Sequence, residues 1–364
     1  MSENKIKFYL NNCEVEADKG ETIWQVANRL GTEIPHLCYT NKSGYRADGN
    51  CRACMVEIEG ERVLAASCIR KPTSEMKVNT TSAKAKKSRE LVFELLLSDQ
   101  PDRDIAHDND SKFWNWIDKV DVKESRFPKK TPCQSDTSHP SMAVNLDACI
   151  QCNLCVRACR EVQVNDVIGM AYRGDNSKIV FDFDDPMGDS SCVACGECVQ
   201  ACPTGALMPA SIVDKDGVGH SKVDEKVNSV CPYCGVGCQI EYNVKENEIK
   251  YVNGIDGPAN KNRLCVKGRF GFDYVTNPER LTKPLIRIKG KEKDLNPSVN
   301  FSNIHEYFRE VSWEEALDYA AGGFLELKKK RNGKSNLAGF GSAKCSNEEA
   351  YLFQKLIRTG FNTN

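Results

Sequence analysis

The chain has 364 residues, which is too long for one ordinary domain and suits two to four. Its 50 Lys and Arg residues against 51 Asp and Glu residues give a formal net charge of −1, which excludes a nucleic-acid-binding role carried by bulk charge. No run approaches the ~20 apolar residues that a bilayer helix needs, and the first residues have no apolar segment typical of a secretory signal. We therefore expect a cytoplasmic protein with no membrane span.

The N-terminal segment predicts a small α+β domain. Weak alternation over Lys5–Leu10 and residues 14–17 favours a hairpin, and apolar residues at helical spacing follow over 23–30. Met55–Ile58 predicts a further strand, with residues 62–65 as its partner.

A Lys-rich helix and a connector follow. Residues 83–98 predict the helix, with an apolar face formed by Leu91, Val92, Leu95 and Leu96. Residues 99–141 are rich in Pro, Asp, Ser, Lys and His, which predicts a connector with one short helix and with Trp114 and Trp116 as isolated anchors.

Cysteine is the outlier of the composition, at 19 residues. All but Cys13, Cys133 and Cys345 fall into four regularly spaced groups. A long chain without a signal peptide uses cysteines for metal more often than for disulfides. The spacing therefore predicts metal centres.

The strongest pattern is C-x2-C-x2-C-x3-C, which occurs twice with an offset of 43 residues. In two-cluster ferredoxins, the fourth cysteine of each such run binds the other cluster. Zinc sites are the alternative, but zinc closes with two cysteine pairs and does not need three cysteines at this spacing. The pattern predicts one 4Fe–4S cluster on Cys149, Cys152, Cys155 and Cys202, and a second on Cys192, Cys195, Cys198 and Cys159.

The first cysteine group contains Cys38, Cys51, Cys54 and Cys68. One loop supplies three thiolates and a later strand end the fourth, as in plant-type 2Fe–2S ferredoxins, although the spacing differs. The motifs IPHLC at 34–38, CRACMVEI at 51–58 and AASC at 65–68 resemble the 2Fe–2S domain of the large iron–sulfur subunit of respiratory NADH dehydrogenase. The resemblance implies a 2Fe–2S cluster, with a zinc knuckle as the alternative.

Those relatives carry a further cluster, held by one His and three Cys, after the following helix. Here Gln100 stands at the expected His position, and Asp104 and His107 stand at the first two expected Cys positions. We expect this cluster to be absent. Replacement ligation by Cys133 and His139 is the less favoured alternative.

The fourth group, C-x2-C-x3-C-x26-C, by itself fits either zinc or a 4Fe–4S cluster. Its surroundings, with NPERLTKPLIR at 277–287 and SWEEAL at 312–317, closely resemble molybdopterin oxidoreductases that carry two pterin guanine dinucleotides. The resemblance implies a 4Fe–4S cluster on Cys231, Cys234, Cys238 and Cys265. It also implies that Lys267 is an electron bridge between this cluster and a pterin, with a solvated surface lysine as the alternative.

The C-terminal elements predict a hairpin and then an α/β pattern. Residues 239–244 and 248–252 favour the hairpin, and a helix is predicted to start at Trp313. Residues 337–340 predict a short strand. A capping box from Ser346 to Glu349 precedes the last helix.

These elements predict a multidomain α+β protein. The predicted order is a β-grasp 2Fe–2S ferredoxin-like domain at 1–80, a helix and connector with a degenerate His/Cys cluster site at 81–141, a two-cluster 4Fe–4S ferredoxin-like domain at 142–225, a small β-rich 4Fe–4S domain at 226–290, and the incomplete start of an α/β molybdopterin-binding domain at 291–364.

The runs LCVKGRFGFD at 264–273 and GSAKCSNEE at 341–349 are most similar to cytoplasmic formate dehydrogenase catalytic subunits. The resemblance implies interconversion of formate and CO2 at a molybdenum or tungsten bis-molybdopterin guanine dinucleotide in the full-length protein. It also implies that this chain passes electrons to a flavin/NAD(P)-binding subunit, a hydrogenase or a ferredoxin. In that family a Cys or selenocysteine after the last helix binds the metal, so we expect this ligand beyond Asn364 and no catalytic residue before it.

Three alternatives remain. A nitrate reductase-like enzyme shares the fourth cysteine pattern but seldom carries the preceding ferredoxin motifs. An iron-only hydrogenase shares the first three groups, but its active-site cysteines do not follow residue 225. A non-catalytic iron–sulfur subunit of an NADH dehydrogenase-like complex keeps one cluster where this chain has the doubled run.

Overall fold

A computed structural model of the chain describes residues 5–291, 293, 298–329 and 337–364. The chain forms two compact units. The first reaches from the N-terminus to Ser229 and also includes Cys238–Phe270, and the second contains Val230–Gly237 and Gly271–Asn364. None of the helices in the described ranges has the length and apolarity needed to cross a membrane.

The N-terminal segment folds into a five-stranded sheet packed on one helix. Its elements are β1 (Lys5–Leu10), β2 (Cys13–Asp18), α1 (Ile23–Arg29), β3 (Met55–Ile58), β4 (Ala65–Ala66) and β5 (Lys77–Asn79). The strand order is β2-β1-β5-β3-β4, with β1 parallel to β5. Thr22 and Gln25 close a capping box at the start of α1, whose buried face covers the sheet.

The predicted strands of this segment are present, with one correction. The partner of β3 was expected at 62–65, but β4 pairs through Val56 with Ala65 and through Met55 with Ala66. The pairing is displaced because Cys68 follows β4 closely and Cys54 directly precedes β3, so the ladder brings both cysteines to one end of the strand pair.

Two helices follow, α2 (Ala83–Leu97) and α3 (Lys112–Val120). The predicted apolar face of α2 is confirmed at Val92 and Leu96, which pack against a buried core, and wrong at Leu91 and Leu95, which are 38% and 52% exposed. The buried stripe instead runs through Ala85, Arg89 and Phe93 at intervals of four residues. The spacing of apolar residues does not reveal this stripe, because the charged Arg89 lies in it. The Arg89 guanidinium donates to the Thr80 carbonyl.

The predicted connector helix is therefore a core element. Phe113, Trp114 and Ile117 of α3 are buried with Phe93 of α2, and the rings of Phe93 and Phe113 lie 6.1 Å apart. Trp114 is thus part of a shared core and not an isolated anchor.

The segment with the doubled cysteine run forms two antiparallel strand pairs and two short helices. The elements are β6 (Met142–Val144), α4 (Leu154–Arg157) with a π-helical turn at Ala158–Val162, β7 (Ile168–Ala171), β8 (Lys178–Phe181), α5 (Glu197–Ala201) and β9 (Leu207–Pro209). β6 pairs with β9, and β7 pairs with β8. Their apolar side chains form one core with Cys155, Cys159 and Cys198.

The predicted hairpin lies in a three-stranded sheet, β10-β11-β12, formed by β10 (Glu225–Val230), β11 (Gln239–Lys245) and β12 (Glu248–Gly254). Glu246 and Asn247 turn the chain in the left-handed region, with φ of 54° and 60°. The short helix α6 (Val266–Phe270) follows.

The second unit contains a strand pair and three helices in its described residues. These are β13 (Leu285–Arg287), α7 (Ile304–Tyr307), β14 (Phe308–Glu310), α8 (Trp313–Lys329) and α9 (Asn347–Lys355), which a π-helical turn extends over Leu356–Phe361. Single 3-10 turns elsewhere in the chain lie at Leu146–Ala148, Gly174–Asn176, Met187–Asp189, Ala210–Ile212, Asp273–Val275 and Phe301–Asn303.

The predicted capping box before the last helix is present, since Ser346 and Glu349 bond reciprocally. The strand predicted at 337–340 is wrong. These residues are described and are not in a strand, and Phe340 is 98% exposed. A strand needs a neighbour for its backbone groups, and the described residues of this unit offer only the β13–β14 pair.

The buried stripe of α2 leads to a stability prediction. Phe93→Ala should reduce the free energy of unfolding by about 3–5 kcal/mol, because a fully buried ring leaves a cavity. Leu95→Ala, at a half-exposed position of the same helix, should change it by less than about 0.5 kcal/mol. Urea unfolding followed by circular dichroism measures both, and equal losses would contradict the observed helix face.

Candidate iron–sulfur centres

Pairwise contacts connect the four thiols of the first group. The amide of Cys38 donates to Sγ of Cys51 at 3.4 Å, and the amide of Cys51 donates to Sγ of Cys38 at 3.4 Å. Hydrogen bonds from the thiols of Cys51 and Cys68 lower the pKa of Cys38. Cys54 contacts Cys68 in the same way, so the structure brings all four predicted ligands of this group together.

A half-buried lysine lies beside this group. Lys112 of α3 is directed toward the Tyr39 carbonyl at 3.5 Å, and burial lowers its pKa to about 8. The charges of Cys51, Cys152 and Cys38 act on it in the opposite direction. Lys112 therefore faces cysteines of two different groups.

The second group surrounds one small apolar cavity. Cys149, Cys152, Cys155 and Cys202 all line it, together with side chains such as Ile179 and Leu207. Burial raises the pKa of Cys149 to about 11 and that of Cys155 well above its usual range. Free thiolates are thus disfavoured here, whereas four thiols around one small, mostly apolar cavity fit the ligand set of an iron–sulfur cluster.

The third group is brought together from both cysteine runs. Burial raises the pKa values of Cys192, Cys195 and Cys198, and the charge of Cys159 raises each of them further. Backbone amides donate to two of these sulfurs, from Val167 to Cys159 at 3.3 Å and from Ala194 to Cys192 at 3.4 Å. The fourth cysteine of each run thus lies with the first three of the other run.

The backbone repeats between the two runs. Gln151 and Ala194, directly before the second cysteine, both have φ of 54°, and Asn153 and Gly196, directly after it, have φ of 62° and 68°. The left-handed region is unfavourable for residues other than glycine, so this repeated wrapping of the loop must be stabilised by its surroundings.

The fourth group is divided between the two units. Cys231 and Cys234 belong to the second unit, in which the Tyr233 hydroxyl donates to the Gly271 carbonyl. Cys238 and Cys265 belong to the first unit, directly before β11 and directly before α6. Lys267, the predicted electron bridge, lies on α6 and is exposed. Its role remains a prediction.

At the degenerate His/Cys site, Gln100 and His107 are buried and Asp104 is exposed. The side-chain amide of Gln100 donates to the Ala148 carbonyl at 3.0 Å. Of the alternative ligands, Cys133 is exposed, and His139 accepts a hydrogen bond from the Ser141 amide at 3.1 Å. The absence of a cluster at this site remains a prediction.

Sequence reasoning missed several buried polar residues around the cysteines. Their positions inside or directly after cysteine motifs could have singled out three of them from the sequence, namely Arg157, Glu197 and Arg269. Tyr45 carried no such signal, although its hydroxyl donates to the Glu197 carboxylate at 2.9 Å. Burial beside Glu197 raises the pKa of Tyr45 above its usual range, so the hydroxyl keeps its proton.

Within the part of the chain that the structure describes, no three His, Cys, Asp or Glu side chains are placed to hold a single metal ion. The fit to iron–sulfur clusters therefore rests on the grouping of the thiols, the small apolar cavity of the second group and the amide-to-sulfur hydrogen bonds. These features are typical of an iron–sulfur protein.

Comparison with protein families is consistent with this class. Four family models match: a 2Fe-2S iron-sulfur cluster binding domain at residues 3–83, a 4Fe-4S dicluster domain at 148–206, the molybdopterin oxidoreductase Fe4S4 domain at 224–277, and molybdopterin oxidoreductase at 280–364. The chain thus contains segments similar to 2Fe-2S, 4Fe-4S dicluster and molybdopterin oxidoreductase domains, and the predicted multidomain fold class is confirmed.

Individual relatives match almost the whole chain. "Probable oxidoreductase YjgC" of Bacillus subtilis is 32% identical over 98% of this chain, and "Putative formate dehydrogenase SH0748" of Staphylococcus haemolyticus is 30% identical over 98%. The chain spans 38% of the length of each of these curated relatives.

Among solved structures, a chain of an NAD+-reducing [NiFe]-hydrogenase in the H2-reduced state is similar, with a TM-score of 0.51 and 26% identity. The likeness covers 56% of this chain and 87% of that chain.

The grouping of the thiols leads to a test by substitution. Wild-type protein should contain about 14 iron atoms per chain, from one 2Fe–2S and three 4Fe–4S clusters, and Cys198→Ser should lower this to about 10. The 2Fe–2S signal should persist, because Cys198 lies in a different core from the first group. Iron and sulfide analysis and low-temperature EPR measure these results.

The exposed Cys13, which lies outside all four groups, provides the control as Cys13→Ser. Loss of the 2Fe–2S signal in Cys198→Ser, or an iron content near 18 in the wild type, would contradict the grouping.

Proposed function

We propose that the complete protein is a formate dehydrogenase or a closely related CO2 reductase, and that this chain is its electron-transfer portion. The reaction is HCO2⁻ ⇌ CO2 + H⁺ + 2e⁻. The observation that carries the proposal is the order of matched domains, in which 2Fe–2S and dicluster domains precede a molybdopterin oxidoreductase domain. Relatives that carry the name formate dehydrogenase match 98% of the chain.

The four cysteine groups are the proposed ligands of one 2Fe–2S and three 4Fe–4S clusters. The proposed sets are Cys38, Cys51, Cys54 and Cys68; Cys149, Cys152, Cys155 and Cys202; Cys192, Cys195, Cys198 and Cys159; and Cys231, Cys234, Cys238 and Cys265. When bound, such clusters supply single-electron carriers between a molybdenum or tungsten bis-molybdopterin guanine dinucleotide and a partner protein.

The protein's own contribution is to bury the sulfurs and to donate hydrogen bonds to them. Amides donate to sulfur at Cys38, Cys51, Cys159 and Cys192. Such bonds stabilise negative charge on sulfur and so favour the reduced form of a cluster, while burial disfavours added charge. The balance of these two effects is how this chain would set the order of reduction.

The proposed electron partner is a flavin/NAD(P)-binding subunit, with a hydrogenase or a ferredoxin as alternatives. The likeness to a chain of an NAD+-reducing [NiFe]-hydrogenase supports this choice, because it covers more than half of this chain. We propose a cytoplasmic enzyme, since electron exchange with NAD(P) takes place there.

The other candidate functions are less well supported. A purely non-catalytic relay subunit does not account for the molybdopterin oxidoreductase matches at 224–277 and 280–364. A nitrate reductase-like enzyme shares those matches, so the substrate has to be decided by experiment.

Protein purified anaerobically from cells that express the complete reading frame should reduce a viologen dye with formate and contain molybdenum or tungsten. Reduced viologen should not be oxidised by nitrate in the same preparation. Metal analysis and dye absorbance make the measurement. Nitrate-dependent oxidation without formate-dependent reduction would favour the nitrate reductase alternative.

The proposed role of Lys267 has its own test. Lys267→Ala should slow the reduction of the clusters by formate at least several-fold while iron content stays unchanged, because a positive charge between two electron carriers would be lost. Lys267→Arg should retain most of the rate. The exposed Lys222, which lies outside the cysteine motifs, gives the control Lys222→Ala. If Lys267→Ala leaves the stopped-flow reduction rates unchanged, Lys267 is a solvated surface lysine and not an electron bridge.

A further inference from the structure

A buried arginine connects the first and second cysteine groups. Arg157 is the last residue of α4, between Cys155 and Cys159, and its side chain is 3% exposed. One terminal nitrogen, Nη2, donates to the carbonyl of Cys38 at 2.8 Å and to the carbonyl of Cys152 at 3.2 Å. A single guanidinium thus bonds to one proposed ligand residue of each centre.

The other nitrogens of this guanidinium are also engaged. Nη1 donates to the Arg46 carbonyl, and Nε donates to the Asn153 carbonyl at 3.2 Å and lies 3.3 Å from the Asp48 carboxylate. The planar fork of arginine can serve several fixed acceptors at once, which a lysine ammonium cannot do with the same geometry. Arg157 therefore ties the loop around Cys38 to the turn around Cys152.

The first and second cysteine groups share one buried cluster. Cys38, Cys152 and Leu154 form one buried cluster, with Cys51 and Tyr45 packed against it. Residues that come from sequence positions more than 100 apart are therefore in direct contact. The separation of the two centres depends on how this contact is held.

An equivalent contact occurs at the second run. Cys195 lies 43 residues after Cys152, and its carbonyl accepts a hydrogen bond from Nε of Arg269 at 3.1 Å. Arg269 is 2% exposed and pairs with the fully buried Glu197 at 3.3 Å. A Cβ at Gly196 would lie 2.9 Å from the Arg269 side chain, so the glycine makes this approach possible.

The two arginines differ in what they join. Arg269 follows Cys265 by four residues, and its amide donates to the Cys265 carbonyl at 3.1 Å. It thus links the helix that starts after Cys265 to the third group. Arg157 links the first group to the second, and the equivalence of Cys152 and Cys195 makes Arg269 its matched counterpart.

We propose that Arg157 is a positioning residue shared by two centres, which holds the 2Fe–2S cluster of the first group at a fixed separation from the 4Fe–4S cluster of the second group. This inference rests on the proposed cluster ligands. The single electron that would pass between these centres makes and breaks no bond and moves no proton, so separation and local charge are what the protein controls.

The test uses EPR of the full protein reduced with dithionite and needs no formate. In the wild type, the reduced 2Fe–2S signal should show splitting from the neighbouring 4Fe–4S centre. Arg157→Lys should retain about 14 iron atoms but weaken or broaden this splitting, because a lysine ammonium cannot reproduce the planar fork that also reaches the Arg46 and Asn153 carbonyls. Arg157→Met should in addition shift the reduction potentials of both centres downward, since a buried positive charge is lost.

Two controls separate a shared role from general damage. Arg269→Lys should leave the 2Fe–2S splitting unchanged, because that side chain bonds to the third group. Arg126→Gln, at an exposed ion pair with Glu94, should change neither splitting nor potentials.

The proposal is overturned if wild-type protein shows no interaction between the two centres, or if both Arg157 variants keep the wild-type splitting and potentials. It is also overturned if the potential of only one centre moves. If Arg157→Met fails to fold, the wild type and Arg157→Lys still decide the question. If the wild-type protein shows the expected splitting but no formate turnover, the proposed reaction is contradicted, whereas the proposed role of Arg157 is not.

Discussion

The first unit depends on the burial of cysteine-bearing loops against each other. Cys38 and Cys152 belong to different sequence motifs, yet they share one buried contact with Leu154. Burying sulfur-rich loops leaves many backbone carbonyls without water, and each of them needs a donor. Arg157 and Arg269 supply such donors to the carbonyls of the equivalent residues Cys152 and Cys195, and both arginines are almost completely buried.

The same constraint explains the backbone of the cysteine runs. Cysteines with two residues between them can face one cavity only if the chain turns tightly between them. The residues in the left-handed region around Cys152 and Cys195 make this turn. Three of these four residues are not glycine, so their strain has to be offset by the surrounding hydrogen bonds and by ligation. Gly196 is the exception, because the Arg269 side chain occupies the space that a Cβ would need.

Where the sequence-based predictions failed, tertiary packing decided the outcome. The buried face of α2 includes Arg89, so apolar spacing found Val92 and Leu96 beside the core but also selected the exposed Leu91 and Leu95. The strand predicted at 337–340 has an apolar sequence but no neighbouring strand among the described residues of its unit. In the sequence, Trp114 stands alone in a polar connector. In the structure, Trp114 and Phe113 belong to a core that forms where α3 packs against α2.

The sequence by itself determined the class of protein, the four cysteine groups and their assignment to iron–sulfur chemistry, because ligand identity and spacing are local properties of the chain. It also predicted several helices and strands, including α1, the β11–β12 hairpin and the capping box at Ser346, since these depend on neighbouring residues. Only the tertiary structure decided that Arg157 joins two cysteine groups and that Tyr45 meets Glu197. These contacts connect residues more than 100 positions apart, and a side chain's partner at such a distance depends on how the loops pack and not on the residues beside it.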